Sequence, residues 1–285
     1  QVMISSGVSG GLVLAFLAGF GAGDEVIIPD PYFVMYKHLL RIFDATPVYC
    51  DTYPDFQLTA DRVAPLVTPR TKAIVVGSPA NPTGVVLTEA SWRGLVEIAR
   101  KNGLLIISDE IYDSFVYDGR PFAPGAVYDN VLTLGGFSKS HAMTGWRLGY
   151  AVGPAELIKA MITLQQYTFV CAPSMVQEAA AEAALGLPTD RFRELYGAKR
   201  NRMIEALSPK YRIGGAEGAF YLFPEVPASA APNATEFSMR AIREKKLLVI
   251  PGNVFSERDT HFRLSYAASD ETIDRGIEAL LALAG

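Results

Sequence analysis

Short apolar runs alternate with amphipathic stretches over the first two-thirds of the chain, and this alternation predicts an α/β fold, a mostly parallel sheet covered by helices on both faces. Two further observations support it. Lys72–Gly77 and Leu104–Ser108 read as continuous apolar runs rather than alternating ones, as expected of strands buried on both faces. Beyond a helical stretch from Pro173 to Leu207 the pattern changes to short strands and two helices, which predicts a smaller α+β unit at the C-terminal end.

The elements follow in order. The chain opens on a strand that runs into the turn Ser5-Ser6-Gly7-Val8-Ser9-Gly10-Gly11, and an apolar helix is predicted over Gly10–Phe20. Strands are predicted at Glu25–Pro29, Pro47–Asp51, Lys72–Gly77, Leu104–Asp109, Val131–Leu134 and Leu148–Val152. Between them lie predicted helices at Phe33–Ile42, Ala60–Val67, Glu89–Asn102 and Pro154–Thr168. Gly186-Leu187-Pro188 breaks the next helical stretch, where the proline ends one helix and Thr189 or Asp190 can cap the second. Strands at Ala219–Phe223, Leu247–Ile250 and Phe262–Ala267 then accompany helices at Thr235–Lys245 and Asp270–Ala284. The Pro/Ala-rich piece Pro224–Pro232 reads as a surface loop.

Bulk properties narrow the function. The 285 residues are 49% hydrophobic and 20% charged, within the range of a globular protein. A net charge of −4 without a long basic run argues against nucleic-acid binding. The longest apolar stretch, Leu12–Phe20, falls short of the ~20 residues a membrane span needs. Two isolated cysteines, Cys50 and Cys171, supply neither a disulfide framework nor paired zinc ligands, so a reducing, cytoplasmic location is expected. His38, His141 and His261 are scattered, and no metal site is expected. The chain begins at Gln1 without an initiator Met or a charged signal-peptide start, so an upstream segment is expected to be missing from it.

The most informative stretch is Ser138-Lys139-Ser140-His141-Ala142-Met143-Thr144-Gly145-Trp146-Arg147-Leu148-Gly149. A lysine after a strand is by itself more often a surface residue. Partly buried and near positive charge, it gains a neutral fraction and can condense with an aldehyde. Arg147, eight residues on, can clamp a phosphate through two parallel hydrogen bonds, although a lone arginine is more often an ion-pair partner. Pyridoxal phosphate (PLP) is the cofactor that needs both groups. The Ser5–Gly11 turn ahead of a helix can present free N–H groups to a phosphate, or can simply cap the helix.

Other residues supply what else PLP requires. Asp109 ends a buried strand, where a carboxylate is costly unless paired; the pyridinium nitrogen is one partner, and capping of a following helix is the bland alternative. Tyr112 lies three residues on, so a helical turn would bring both to one side, with the hydroxyl near the ring oxygen. Asn81, held between Pro79 and Pro82, can donate to that same oxygen or serve as an ordinary turn residue. Tyr32 and Phe33 offer an aromatic face for stacking or for the core. Arg263, in the strand pattern Phe262–Tyr266, can fork onto a substrate carboxylate.

Taken as a set, Ser78-Pro79-Ala80-Asn81-Pro82-Thr83-Gly84, Ser108-Asp109-Glu110-Ile111-Tyr112 and Ser138-Lys139 with Met143–Tyr150 resemble the class I/II aminotransferases of fold type I, the aspartate/aromatic/alanine group. The resemblance runs over nearly the whole chain. It implies a seven-stranded-type sheet in a PLP-binding large domain, residues 1–195, and the C-terminal part of a small domain, residues 196–285. It implies that Lys139 forms the Schiff base with PLP and shuttles the substrate proton, that Asp109 pairs with the pyridinium, and that Tyr112 and Asn81 donate to the ring oxygen. It further implies that Arg147, Ser9 and the Val8 backbone hold the phosphate, with Ser138 among the cofactor-binding residues, that Phe33 stacks on the ring, and that Arg263, with Asn81, takes the α-carboxylate.

Three departures qualify it. Family members start well upstream, where they carry an N-terminal arm, a substrate-side glycine loop and a tyrosine given to the neighbouring subunit of a homodimer. Gly136 stands where many relatives have a phosphate-binding serine, and Ser9 where some aspartate-specific relatives have a lysine. The expected activity is transfer of an amino group between an L-amino acid and a 2-oxo acid, with no nucleic-acid or membrane partner. Two alternatives use the same residues: a PLP-dependent carbon–sulfur lyase, and the non-catalytic effector domain of a transcription regulator.

Overall fold

A computed structural model describes residues 1–119 and 122–285. Its first unit is a seven-stranded sheet built from β1 (Val2–Ser5), β2 (Glu25–Asp30), β3 (Thr46–Asp51), β4 (Thr71–Gly77), β5 (Leu105–Asp109), β6 (Val131–Gly136) and β7 (Gly149–Val152). The strand order is β1-β7-β6-β5-β4-β2-β3. Strands β3, β2, β4, β5 and β6 run parallel. β7 is antiparallel to both β6 and β1, so one end of the sheet departs from the parallel rule.

Alternate residues of the central strands face opposite layers, which is why those strands are apolar throughout. Val26, Ile28, Ala73, Val75, Ile107 and Leu134 belong to the core shared with α1 (Gly7–Gly19), α2 (Val34–Ile42) and α5 (Ala155–Tyr167). Ile27, Ile74, Val76 and Ile106 pack on the other face with α3 (Ala60–Val63) and α4 (Glu89–Asn102), around the fully buried Trp92. Helix α4 has complete signals: the Thr88 side chain accepts from the Ser91 N–H at 3.1 Å, and Gly103 ends the helix at φ 66°.

Beyond α5 lie α6 (Ser174–Glu182), α7 (Asp190–Leu207), β8 (Tyr221–Leu222), α8 (Ala234–Lys245), β9 (Ile250–Pro251), β10 (Phe262–Ser265) and α9 (Asp270–Ala284). The three short strands form a separate antiparallel sheet in the order β8-β10-β9. A second core, with Leu207, Leu222, Phe237, Phe262, Tyr266 and Leu283, holds this part together.

Several boundaries differ from the sequence reading. Helix α1 starts at Gly7, three residues before the predicted Gly10, because the Ser/Gly turn itself winds into the helix. Pro65 lacks an amide hydrogen, and α3 gives way there to a 3₁₀ turn over Ala64–Leu66. Thr189 holds the N-cap position of α7, but its side chain makes no capping bond. The second C-terminal strand sits at Ile250–Pro251, at the end of the predicted Leu247–Ile250.

Candidate active site

The carboxyl ends of β4 and β5 open into a cavity of about 280 Å³, where open α/β sheets place their ligands. Val8 and Ser9 enter it from the first turn of α1, and Phe33 from the residue before α2. Asn81 comes from the loop after β4, Asp109 from the end of β5, and Tyr112 from the turn that follows. Ser138 and Lys139 lie on the loop after β6, Arg147 just before β7, and Arg263 on β10 of the second unit. All ten candidate site residues therefore line one cavity. Tyr32 does not line it: it is buried in the core with its hydroxyl bonded to Glu257 at 2.9 Å, which leaves Phe33 as the aromatic at the wall.

One end of the cavity is an anion cradle. Ser6 precedes α1 and its side chain makes no capping bond, so this helix N-terminus, whose first N–H groups have no partner within the helix itself, suits an anion. Arg147 sits beside them in the left-handed region at φ 55° and donates to the carbonyls of Thr144 at 2.9 Å and Ser6 at 3.4 Å. Gly7 is favoured there by its left-handed φ of 68°, which L side chains rarely adopt, and a Cβ would also lie 2.5 Å from Arg147 Nη2 and displace it. Gly149 is equally constrained, because its Cβ would come within 2.6 Å of the Gly7 carbonyl carbon. Gly136 pairs with Gly149 across β6 and β7, and a side chain at Gly136 would begin 3.0 Å from the Leu148 carbonyl oxygen. The buried Ser138 lines this part of the cavity.

The middle holds the titratable groups. Asp109 is buried; burial pushes its carboxyl up to about 6, and hydrogen bonds from the Tyr36 hydroxyl and the Ile111 N–H pull the other way. Tyr36 Oη donates to Asp109 Oδ2 at 2.8 Å, and Gly77 leaves room for that hydroxyl, as a Cβ there would lie 3.1 Å from it. Lys139 is half-buried, and its proton affinity is lowered by burial first, then by Arg147 and Arg263. Its Nζ lies 5.9 Å and 5.8 Å from the ring centres of Tyr112 and Phe220. Burial holds the Tyr112 hydroxyl well above its ordinary range, so it stays protonated, and it shares a 2.9 Å hydrogen bond with Tyr221. The expected helical turn after Asp109 is instead an irregular turn; Tyr112 precedes a short 3₁₀ segment, Asp113–Phe115, yet its ring still reaches the cavity.

At the far end, Arg263 lies over the faces of Tyr221 and Phe255, with Cζ 4.6 and 4.5 Å from the ring centres. It donates to Asn81 Oδ1 at 2.9 Å, which turns the amide NH₂ of Asn81 toward other partners. Tyr36 and Tyr221 line the cavity and were absent from the residues singled out in the sequence. Tyr36 stands three residues after Phe33, so helical spacing carried a signal for it. Nothing local marked Tyr221.

Fold and site together define an enzyme in which a lysine of lowered proton affinity works between an anion cradle and a second arginine. The chain belongs to the aminotransferase class I and II family, whose model matches residues 1–280. It is 35% identical over 287 residues to a probable aspartate aminotransferase of Methanocaldococcus jannaschii, covering 97% of this chain and 76% of that protein. It is 32% identical to aromatic-amino-acid aminotransferase 2 of Thermococcus litoralis, covering 98% and 75%. Among solved structures, the aspartate aminotransferase of Thermus thermophilus with maleate superposes with a TM-score of 0.94 at 34% identity, covering 99% of this chain and 76% of that one. The chain is thus a transaminase that spans about three quarters of these relatives. The lyase and regulator alternatives are not favoured, since the relatives are named aminotransferases.

Proposed function

We propose that the chain transfers an amino group between an L-amino acid and a 2-oxo acid, with PLP held in this cavity by the residues described. The cavity chemistry fits that cofactor at three points. The free amides of α1, Arg147, Ser9 and Ser138 suit a doubly charged phosphate. Asp109, buried without a cationic partner among the described residues, suits a protonated ring nitrogen. Phe33 offers a face to the ring, and Tyr112 and Asn81 offer donors to its oxygen.

When bound, PLP supplies a carbon that condenses with amines and a ring that takes up the electron pair released at the substrate Cα. The protein's part is proton handling and orientation. Burial and the two arginines favour the neutral form of Lys139 Nζ, the form that would condense with the cofactor and, once released, take the proton from Cα and return it. Asp109, ionised opposite a ring cation, keeps that ring protonated by electrostatics. Arg263, already oriented by Asn81 and two aromatic faces, receives the substrate carboxylate through its fork.

The observation that carries this reading is the gathering of Lys139, Asp109, Arg147 and Arg263 in one cavity, with burial and both arginines lowering the proton affinity of the lysine. The two cores support residues 1–195 as the cofactor-binding domain and 196–285 as part of a smaller one. Large apolar side chains left exposed on and around α5 and α6, Tyr167, Val170, Met175 and Leu185, support assembly as a homodimer. No helix is long and apolar enough to cross a membrane among the described residues, and a cytoplasmic location is part of the proposal. The test adds PLP to the purified chain and to Lys139→Ala, reduces both with borohydride and digests them. A visible band and a pyridoxyl group on the Lys139 peptide alone are expected; label elsewhere, or none, would refute the assignment.

A further inference from the structure

We propose that Tyr221 is a positioning residue that couples the carboxylate-binding arginine to the cofactor-facing hydroxyl of Tyr112. This rests on the reading of the cavity given above. Tyr221 is buried, on β8 of the second unit, and touches two site groups with two different parts of one side chain. Its hydroxyl is 2.9 Å from the hydroxyl of Tyr112, and the two rings meet edge to face at 5.7 Å. Its ring face lies under Arg263, 4.6 Å from Cζ. The backbone behind it is fixed, because a Cβ on Gly84 would come within 2.9 Å of the Tyr221 carbonyl oxygen, so the Asn81–Gly84 loop seats directly on it.

Hydroxyl arithmetic gives the coupling its direction. Each tyrosine has one proton to donate. Tyr112 can donate into the cavity only if Tyr221 donates to Tyr112. If Tyr112 donates instead, its proton is used up inside the pair. A cation over the Tyr221 ring polarises it and makes its hydroxyl the stronger donor, which favours the first arrangement. A carboxylate that engages Arg263 neutralises part of this charge and weakens that preference. The cofactor's ring oxygen then loses part of its donor when substrate arrives, with no backbone movement. The charged groups facing the pair are Arg263, Lys139 across the Tyr112 ring, and Asp109.

The experiment compares wild type, Tyr221→Phe and Tyr221→Leu, each loaded with PLP, with propionate as an unreactive carboxylate. Two quantities are read: the pH midpoint of the cofactor's visible absorption, with and without propionate, and the propionate dissociation constant. Phe keeps the platform and loses the hydroxyl. Its midpoint without propionate is expected to move by about half a pH unit or more, the propionate-induced shift seen in wild type is expected to vanish, and propionate affinity is expected to stay within about twofold. Leu loses the platform as well, and propionate affinity is expected to fall about tenfold. A Phe variant with the wild-type midpoint and an undiminished propionate shift would overturn the coupling, as would a wild-type midpoint indifferent to propionate. Failure of the wild type to gain any visible band would instead overturn the cofactor reading itself. Circular dichroism of both variants separates loss of folding from loss of coupling.

Discussion

The cavity has an arginine at each end, and the two are held in opposite ways. Arg147 is exposed, sits in a left-handed turn, and is steadied by backbone carbonyls beside a helix N-terminus. Arg263 is half-buried between two aromatic faces and an amide, and burial lowers its proton affinity. Among the described residues neither is ion-paired to a carboxylate. The first arrangement spreads recognition over many backbone groups, as suits a ligand that stays; the second concentrates it in one desolvated fork, as suits a ligand that comes and goes. Lys139 lies between them and is tuned by both, after burial.

That comparison is broken most severely at its centre. Lys139→Ala removes the amine on which both ends act, and transamination is expected to fall at least about 10³-fold while the fold, checked by circular dichroism, persists. Retained turnover would mean that another amine serves.

Asp109 comes next, as the buried carboxylate in the middle of the cavity. Burial raises it from 3.8 to about 6 in the ligand-free protein. The folded state then binds the proton more tightly than the unfolded chain, so the contribution of Asp109 to stability falls as pH rises from about 4 to about 6 and is level above that. Asp109→Asn escapes this cost. The ligand-free variant is expected to exceed wild type by up to about 3 kcal/mol at pH 7 and to match it near pH 4. Glu110, pushed up to about 7 by burial first, is also raised by the Asp109 charge, so its relief in the variant adds to the gap in the same direction. Denaturation at the two pH values checks this, and a gap independent of pH would show that Asp109 ionises without penalty.

The two arginines separate in a third pair of measurements. Arg147→Ala is expected to weaken PLP retention about tenfold to a hundredfold, an effect that added inorganic phosphate should reproduce in part on wild type by competition. Arg263→Lys keeps a charge but loses the planar fork, so kcat/KM for amino acids is expected to fall by about tenfold to a hundredfold with PLP retention unchanged. If both variants lost cofactor and substrate alike, the two ends would not be distinct.

Sequence reached most of this arrangement for a physical reason. Residues that must sit on a strand end or a stiff loop leave local marks: the buried run before Asp109, the prolines flanking Asn81, the glycines around Arg147. The sheet was legible because burial on both faces makes whole strands apolar. The antiparallel placement of β1 and β7 was not, because strand direction depends on partners far apart in the chain, such as Val2 and Val152. Tyr221 was illegible for the same reason. Its partners Tyr112 and Arg263 lie far from it in sequence, on elements brought together only by the packing of the second unit.

The smallest effect tests how finely Asp109 is supported. Tyr36→Phe deletes one hydroxyl and leaves Asp109 with the Ile111 N–H as its remaining donor among the described residues. The lost bond favoured the ionised carboxylate, so the variant's Asp109 should hold its proton more tightly and meet the cofactor ring less well. A hydrogen bond to a charged group in a buried site contributes about 1–2 kcal/mol, so PLP retention is expected to weaken about fivefold to thirtyfold, with substrate KM little changed. Gly77→Ala approaches the same bond from the other side. Its methyl would sit 3.1 Å from the Tyr36 hydroxyl and must push it by a few tenths of an ångström, giving a smaller loss in the same direction. Cofactor dissociation followed by absorbance would rank wild type, Gly77→Ala and Tyr36→Phe in that order; equal retention in all three would mean that the tyrosine fills space and does not tune the carboxylate.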